Sequence, residues 1–282
     1  VKRAEARARC AARSRASRDF HVPDAAAVHH VGPVQLLGAG GARPLALLPG
    51  ATAAQMARSP ADEAAAAGLT PLCMLMMRWG SWPPWIALTM RTLELNPTVS
   101  FSIVGDTPPT VLRWPSNCKF VRLSMDTVMH RAHTVLGASP PGNMRLAGTS
   151  SKISDFKPML GEAFASDLLQ PYDWWGYLQE DLLIGNLSRL ATPALLADAD
   201  VVSPYFAPFN SSGVLMLWRN EQRVRTLWRL SRDAPRVLSS PTYLVFDEGW
   251  WGALAHADSI SAVLGREAAA GRLRLTRATA RG

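Results

Sequence analysis

Cysteine is scarce in this 282-residue chain: Cys10, Cys73 and Cys118 stand far apart and form no CxxC pair. That excludes a zinc knuckle and a disulfide framework. Cys73 and Cys118 fall in apolar runs and read as plain core residues. No apolar run approaches the roughly 18–20 residues needed to span a bilayer. Neither GxGxxG nor a Walker GxxxxGKS/T occurs, which counts against dinucleotide and P-loop binding. The first residue is Val, not Met, which fits a fragment whose upstream signal or anchor has been lost.

Excess positive charge is missing from the centre. Residues 1–69 carry 9 Lys+Arg against 5 Asp+Glu, residues 266–282 carry 5 against 1, and residues 70–265 carry 16 against 16. A nucleic-acid-binding core would carry a basic stripe on its folded surface, so nucleic acid is not an expected partner.

Apolar residues, by contrast, make up 48% of the chain, including 10 Trp concentrated between Trp79 and Trp251. A sizeable core is therefore expected. Residues 1–69 are a low-complexity Ala/Arg/Gly/Pro-rich segment, read as mostly disordered or loosely helical, with one short helix expected over 57–68. Its first 18 residues fit either an Arg-rich targeting segment or a solvated basic stem. The folded domain is expected over 70–265 and a frayed basic tail over 266–282.

Within 70–265, short apolar runs alternate with helical patterns. Strands are expected at 70–80, 99–106, 117–124, 174–178, 198–206 and 210–220. Helices are expected over 82–97, from Ser124 or Asp126 to Val135, over 151–170 with a break at Pro158, and after Asn220 as a cap. Arg223, Arg225, Arg229 and Arg232 read as the solvated face of that last helix. Such alternation implies an α/β domain with a mostly parallel sheet flanked by helices.

The organising stretch is Pro171–Leu190, PYDWWGYLQEDLLIGNLSRL. Trp174-Trp175-Gly176-Tyr177-Leu178 reads as a buried strand that stops at Gln179-Glu180-Asp181. Acids at the carboxyl end of a buried strand must be paired, protonated or bound to a cation. In open α/β sheets, ligands bind outside those strand ends. Glu180-Asp181 is thus either a candidate metal–phosphate site or a strand-to-loop junction whose acids simply face solvent. A second acidic pair, Asp247-Glu248, also follows an apolar run, and suits general-base work on an acceptor hydroxyl. His130, His133 and the His29-His30 pair have no convincing ligand partner and are assigned no metal. The sequons at Asn186 and Asn210 read as chance matches.

Four motifs in order carry a resemblance. KISDFKP (152–158) precedes WWGY (174–177), an Asp-containing turn and Gly185. MMRWGSWPPWIALTMRTLELNPTVSFSIVGD (76–106), SSGVLMLWRNEQRVRTLW (211–228) and PTYLVFDEGWWG (241–252) agree with it. Together they resemble a poorly characterised family of glycosyltransferase-like proteins, over about 70–255. That family is related to DxD-containing sugar transferases of capsular and mannosyl-transferase types. The resemblance implies a GT-A-like fold. It also implies transfer of a sugar from a nucleotide-sugar donor to a glycan or other hydroxyl acceptor, in a Golgi or other secretory compartment. The family's D-L-D falls on Gln179-Glu180-Asp181, with Asp181 as ligand to Mn²⁺ or Mg²⁺. Gln179 replaces the first acid, and a neutral amide is a weaker ligand for a hard cation. Asp155, Lys157, Gln179, Glu180 and Gly185 fall on nucleotide-sugar-binding positions, and Asp247 and Glu248 on the catalytic pair. The alternative is an inactive GT-A-like nucleotide- or sugar-binding or interaction module.

Overall fold

The structure is a computed structural model that describes residues 60–136, 150–204, 210–249 and 258–277, all within one unit, Ala54–Gly282. The expectations for 1–59, for most of the 137–150 loop and for the end of the basic tail lie outside the described residues.

Seven strands form one sheet: β1 (Leu72–Arg78), β2 (Val99–Gly105), β3 (Cys118–Arg122), β4 (Trp174–Leu178), β5 (Val201–Ser203), β6 (Leu215–Arg219) and β7 (Leu275–Arg277). Their order is β3-β2-β1-β4-β6-β5-β7. β1 is parallel to β2 and β4, β2 to β3, and β5 to β7. β6 runs antiparallel to its neighbours β4 and β5. The mostly parallel α/β sheet is as expected.

β1 and β2 are buried along nearly their whole length, as parallel strands covered on both faces must be. Side chains alternate between two cores. Cys73, Leu75, Met77, Trp175 and Tyr177 enter one core, under α3 (Met125–Leu136; α1 is Pro60–Ala66 and α2 Ile86–Glu94) and the 150–169 segment. Leu72, Met74, Met76, Trp174 and Leu178 enter the other. Short α1 (Pro60–Ala66) precedes the sheet. Helix α2 (Ile86–Glu94) covers the second core with Ile86, Met90 and Leu93. Burying each such side chain contributes about 1.5–3 kcal/mol.

The tryptophans explain much of the centre. Trp175 and Trp218 are register partners across β4 and β6, and their rings stack 5.8 Å apart. Gly176 lies between Trp175 and Tyr177 because a Cβ there would come within 2.4 Å of the Met216 carbonyl oxygen. A side chain at that point would push β4 and β6 apart.

Several expectations are corrected. The 151–170 segment is not an α-helix with one break. It is a 3₁₀ stretch, Ser150–Met159, followed by short α4 (Leu160–Ala163), because Pro158 has no N–H for an α-helical ladder. The helix after Asn220 is also split, into α7 (Gln222–Arg225; α5 is Leu187–Leu190 and α6 Pro193–Ala197) and a 3₁₀ turn, Leu227–Leu230. Asn220 is not its cap: its Nδ2 donates to Leu169 O and Tyr172 O, each at 2.7 Å. Nor are the arginines simply solvated. Arg223 bonds Asp200, Arg225 bonds Asn220, and Arg229 grips Glu162.

The tail correction matters most. Residues 266–277 complete the domain: α9 (Ile260–Ala269; α8 is Ala234–Ser239) runs through Arg266, and β7 pairs with β5. Buried Asp200 is the tie, accepting Arg223 Nη2 at 2.6 Å and Arg274 Nη2 at 2.7 Å. Arg266 pairs with Asp258 and Arg272 with Glu267. The tail's positive charge is thus largely committed to intramolecular ion pairs.

Candidate functional site

Where β1 and β4 end, their carboxyl termini open into a cleft of about 380 Å³. The first wall grows directly from β4. Gln179 N donates to Val214 O at 3.0 Å, extending the pairing with β6 by one step. A turn closed by Leu182 N on Gln179 O, at 3.3 Å, then carries Glu180 and Asp181 out of the sheet. Arg78, the last residue of β1, forms an ion pair with Glu180. Thr89 of α2 donates to the Glu180 carbonyl at 2.8 Å. Asp181 is exposed and faces the cleft with no hydrogen bond or ion pair to any described residue.

The second wall is the turn from Thr242 to Gly249, and Asp155 shapes it. The Asp155 carboxylate accepts the N–H groups of Leu244 and Phe246, each at 2.8 Å, and Lys152 Nζ at 2.8 Å. Between those two amides Val245 adopts φ 63°, a left-handed conformation costly for a β-branched residue. Gly249 N closes the turn on Val245 O at 2.7 Å. The result directs Tyr243 and Glu248 into the cleft and Asp247 behind them.

Lys157 joins the two walls. Its ammonium bonds the Gly213 carbonyl, lies 3.5 Å from Asp247 Oδ2 and sits over the Tyr177 ring. Burial pushes its pKa down, and the Asp247 carboxylate opposes that fall. Asp247 is fully buried. Burial pushes its carboxyl up to about 7; Lys157 pulls it back, while Glu248 and Asp155 add to the rise. Its Oδ1 accepts the Tyr243 hydroxyl at 3.0 Å, and its Oδ2 has no hydrogen-bond donor among the described residues. Burial, then the negative charge of Asp247, hold the Tyr243 phenol above its ordinary range, so it stays protonated. Glu248 Oε1 accepts Gly213 N at 3.0 Å.

Most of the expected residues therefore converge: Lys157, Gln179, Glu180, Asp181 and Glu248 line one cleft, with Asp247 directly behind. Two do not. Asp155 is fully buried with both oxygens taken by the protein, so it shapes the turn and leaves no oxygen turned to a nucleotide. Gly185 lines a separate, mostly apolar pocket of about 390 Å³, and its carbonyl accepts Asn96 Nδ2 at 3.0 Å. The sequence reading overlooked Tyr243, Arg78 and Gly213. Tyr243 had a faint signal, standing four residues before Asp247 in a segment already singled out.

The carboxylates bear on the expected cation. Among the described residues no group of three or more His, Cys, Asp or Glu is placed to hold a metal ion. Glu180 is committed to Arg78, and Asp247 is enclosed. Asp181 remains an exposed carboxylate without a partner among the described residues. Mg²⁺ commonly takes one or two carboxylates and completes its shell with phosphate and water oxygens. The described residues thus form no all-protein cage, and Asp181 is the exposed carboxylate in the cleft that could join such a shell.

No helix among the described residues is long and apolar enough to cross a membrane. No curated protein matches the chain. Among solved structures, the chain is similar to the galactosyltransferase LgtC in complex with donor and acceptor sugar analogues: 12% identity, TM-score 0.37, covering 58% of this chain and 64% of that one. It is also similar to the glycosyltransferase GlyE of Streptococcus pneumoniae TIGR4, at 14% identity, TM-score 0.34, and 60% and 42% coverage. Mouse xyloside xylosyltransferase 1, in apo form, overlaps at 12% identity, TM-score 0.35, and 72% and 83% coverage. The chain spans less than two thirds of the length of the first two. The family comparison goes further, because its model matches residues 74–268, well over half of the sequence: the chain belongs to the Family of unknown function (DUF6625).

Proposed function

We propose that this domain is a GT-A-like glycosyltransferase, moving a sugar from a nucleotide-sugar donor to a hydroxyl acceptor in the cleft beyond β1 and β4. The observation that carries this reading is the convergence of two acidic segments from distant parts of the chain, Gln179–Asp181 and Asp247-Glu248, on one open cleft beside Lys157. Asp181 stands exposed on one wall of that cleft, and Glu248, with Asp247 enclosed behind it, stands on the other.

In this reading Asp181 is the protein ligand of Mn²⁺ or Mg²⁺, and the donor's diphosphate and water supply the remaining oxygens. Such an ion supplies neutralisation of the charge that develops on the leaving diphosphate. Gln179 presents an amide to the same ligand, and Arg78 holds Glu180 so that the turn keeps its shape. Lys157 holds Gly213 and Asp247 together, which keeps Glu248 facing the acceptor. Glu248 lines the acceptor side, with Asp247 enclosed behind it, where a hydroxyl must lose its proton as it attacks.

The test is turnover. The native chain, incubated with Mn²⁺ and a panel of nucleoside-diphosphate sugars, should release nucleoside diphosphate from at least one donor. Binding of a donor without release, unaffected by chelation, would favour the inactive binding module.

A further inference from the structure

We propose that Tyr243 is the group that takes the acceptor's proton, and that it hands its own proton to Asp247 in the same step. This rests on the glycosyltransferase reading above and names the path of the proton within it. Three observations carry it. Asp247 is fully enclosed and does not line the cleft, so no acceptor hydroxyl reaches it directly. Tyr243 does line the cleft, and its hydroxyl donates to Asp247 Oδ1 at 3.0 Å. That bond commits the phenol hydrogen inward and leaves oxygen lone pairs to accept from a hydroxyl in the cleft. Glu248, the other candidate, has Oε1 occupied by the Gly213 amide.

The step balances without a further reactant. The acceptor oxygen bonds the anomeric carbon while the carbon–oxygen bond to the diphosphate breaks, and the nucleoside diphosphate leaves with that electron pair. The acceptor proton passes to Tyr243 Oη, and the Tyr243 proton passes to Asp247 Oδ1. Tyr243 ends as it began, and Asp247 ends neutral. It returns the proton to water by the reverse path once the products have left.

The groups facing Asp247 make it a fitting terminus. Lys157 from the 3₁₀ segment stabilises its ionised form, while Glu248 from its own turn and Asp155 from the facing segment oppose ionisation. A carboxylate balanced near neutrality both accepts and releases a proton within a turnover.

The experiment compares native chain, Tyr243→Phe and Asp247→Asn, each checked for native melting, with the donor identified by the turnover panel. Tyr243→Phe should lower kcat on the order of a hundredfold with donor KM nearly unchanged. Asp247→Asn should lose the rise of kcat/KM with pH that the native chain shows around neutrality. In mixtures of light and heavy water, native kcat should fall along a curve, since two protons move together, whereas a single transfer gives a straight line. If Tyr243→Phe does not fold, that curve still decides. A Tyr243→Phe rate within threefold of native, or a straight line for the native chain, would overturn the relay alone. A native chain that transfers nothing would overturn the glycosyltransferase reading and the relay with it.

Discussion

Asp155 accepts the backbone N–H of Phe246 at 2.8 Å, across 91 residues of sequence. With the matching bond to Leu244, it fixes both sides of Val245 and holds that residue at φ 63°. The acidic turn is therefore positioned by a carboxylate that does not itself reach the cleft. Lys152, fully buried, neutralises this carboxylate and also donates to Val237 O at 2.7 Å, tying the clamp to α8.

Replacing Asp155 by Ala would leave the Lys152 ammonium buried without its counter-charge and release two amides. Breaking a buried pair from one side costs about 3–5 kcal/mol. Urea unfolding should show a loss of that size. A loss below about 1 kcal/mol, the range of an exposed ion pair, would contradict the clamp.

Gly213 leaves no room for a side chain: a Cβ there would lie 2.6 Å from Asp247 Oδ2 and 2.7 Å from Glu248 Oε1. Gly213→Ala should cost about 1–3 kcal/mol through overpacking and lower turnover by displacing both acids. Native stability together with native turnover would mean that the three groups are less tightly packed than described.

The pH dependence of stability tests the environment of Asp247. Its folded-state value of about 7 lies above the ordinary unfolded aspartate value of about 3.9. The folded state then holds that proton more tightly, so this group's stabilisation is complete below about pH 3.9 and is lost as pH rises through about 7. Asp247→Asn cannot undergo that loss. Its melting temperature minus the native one should be more positive at pH 8 than at pH 5. A difference that is flat, or that falls with pH, would contradict the assignment.

Asp200 behaves in the opposite sense. Burial pushes its carboxyl up, but hydrogen bonds from Arg223 and Arg274 outweigh that and hold it well below the usual carboxylate range. Its stabilisation is present above the unfolded value of about 3.9 and is lost as pH falls through the depressed folded one. Between pH 5 and pH 2.5 the native chain should lose more stability than Asp200→Asn. Parallel acid limbs would show that the Arg223–Asp200–Arg274 tie is not formed in solution.

What could be read from the residues follows from how locally each feature is encoded. β1 and β4 are almost wholly apolar runs and β2 is a β-branched run bounded by Gly105-Asp106, so these strands were legible. The place of Asp181 beyond the end of β4 was legible because Gln179-Glu180-Asp181 interrupts an apolar run. The 3₁₀ character of 150–159 and the split after Arg225 were not, since they depend on packing against distant partners such as the Glu162 carboxylate that takes Trp228 Nε1 at 3.0 Å. β7 was hidden among arginines whose charge looked like that of a solvated tail, and whose partners Asp200, Glu267 and Asp258 become visible only in three dimensions. The clamp by Asp155 was out of reach for the same reason: an SD dipeptide does not announce which amides it will accept.

The most direct test follows the cation. Asp181 alone offers one exposed carboxylate, so Mn²⁺ without a nucleotide should shift the melting temperature little, and a nucleoside-diphosphate sugar without Mn²⁺ equally little. Mn²⁺ and the donor together should raise it by several degrees, and Asp181→Asn should abolish that joint rise with its ligand-free melting temperature nearly unchanged. An Asp181→Asn chain that keeps the full joint response would contradict the account.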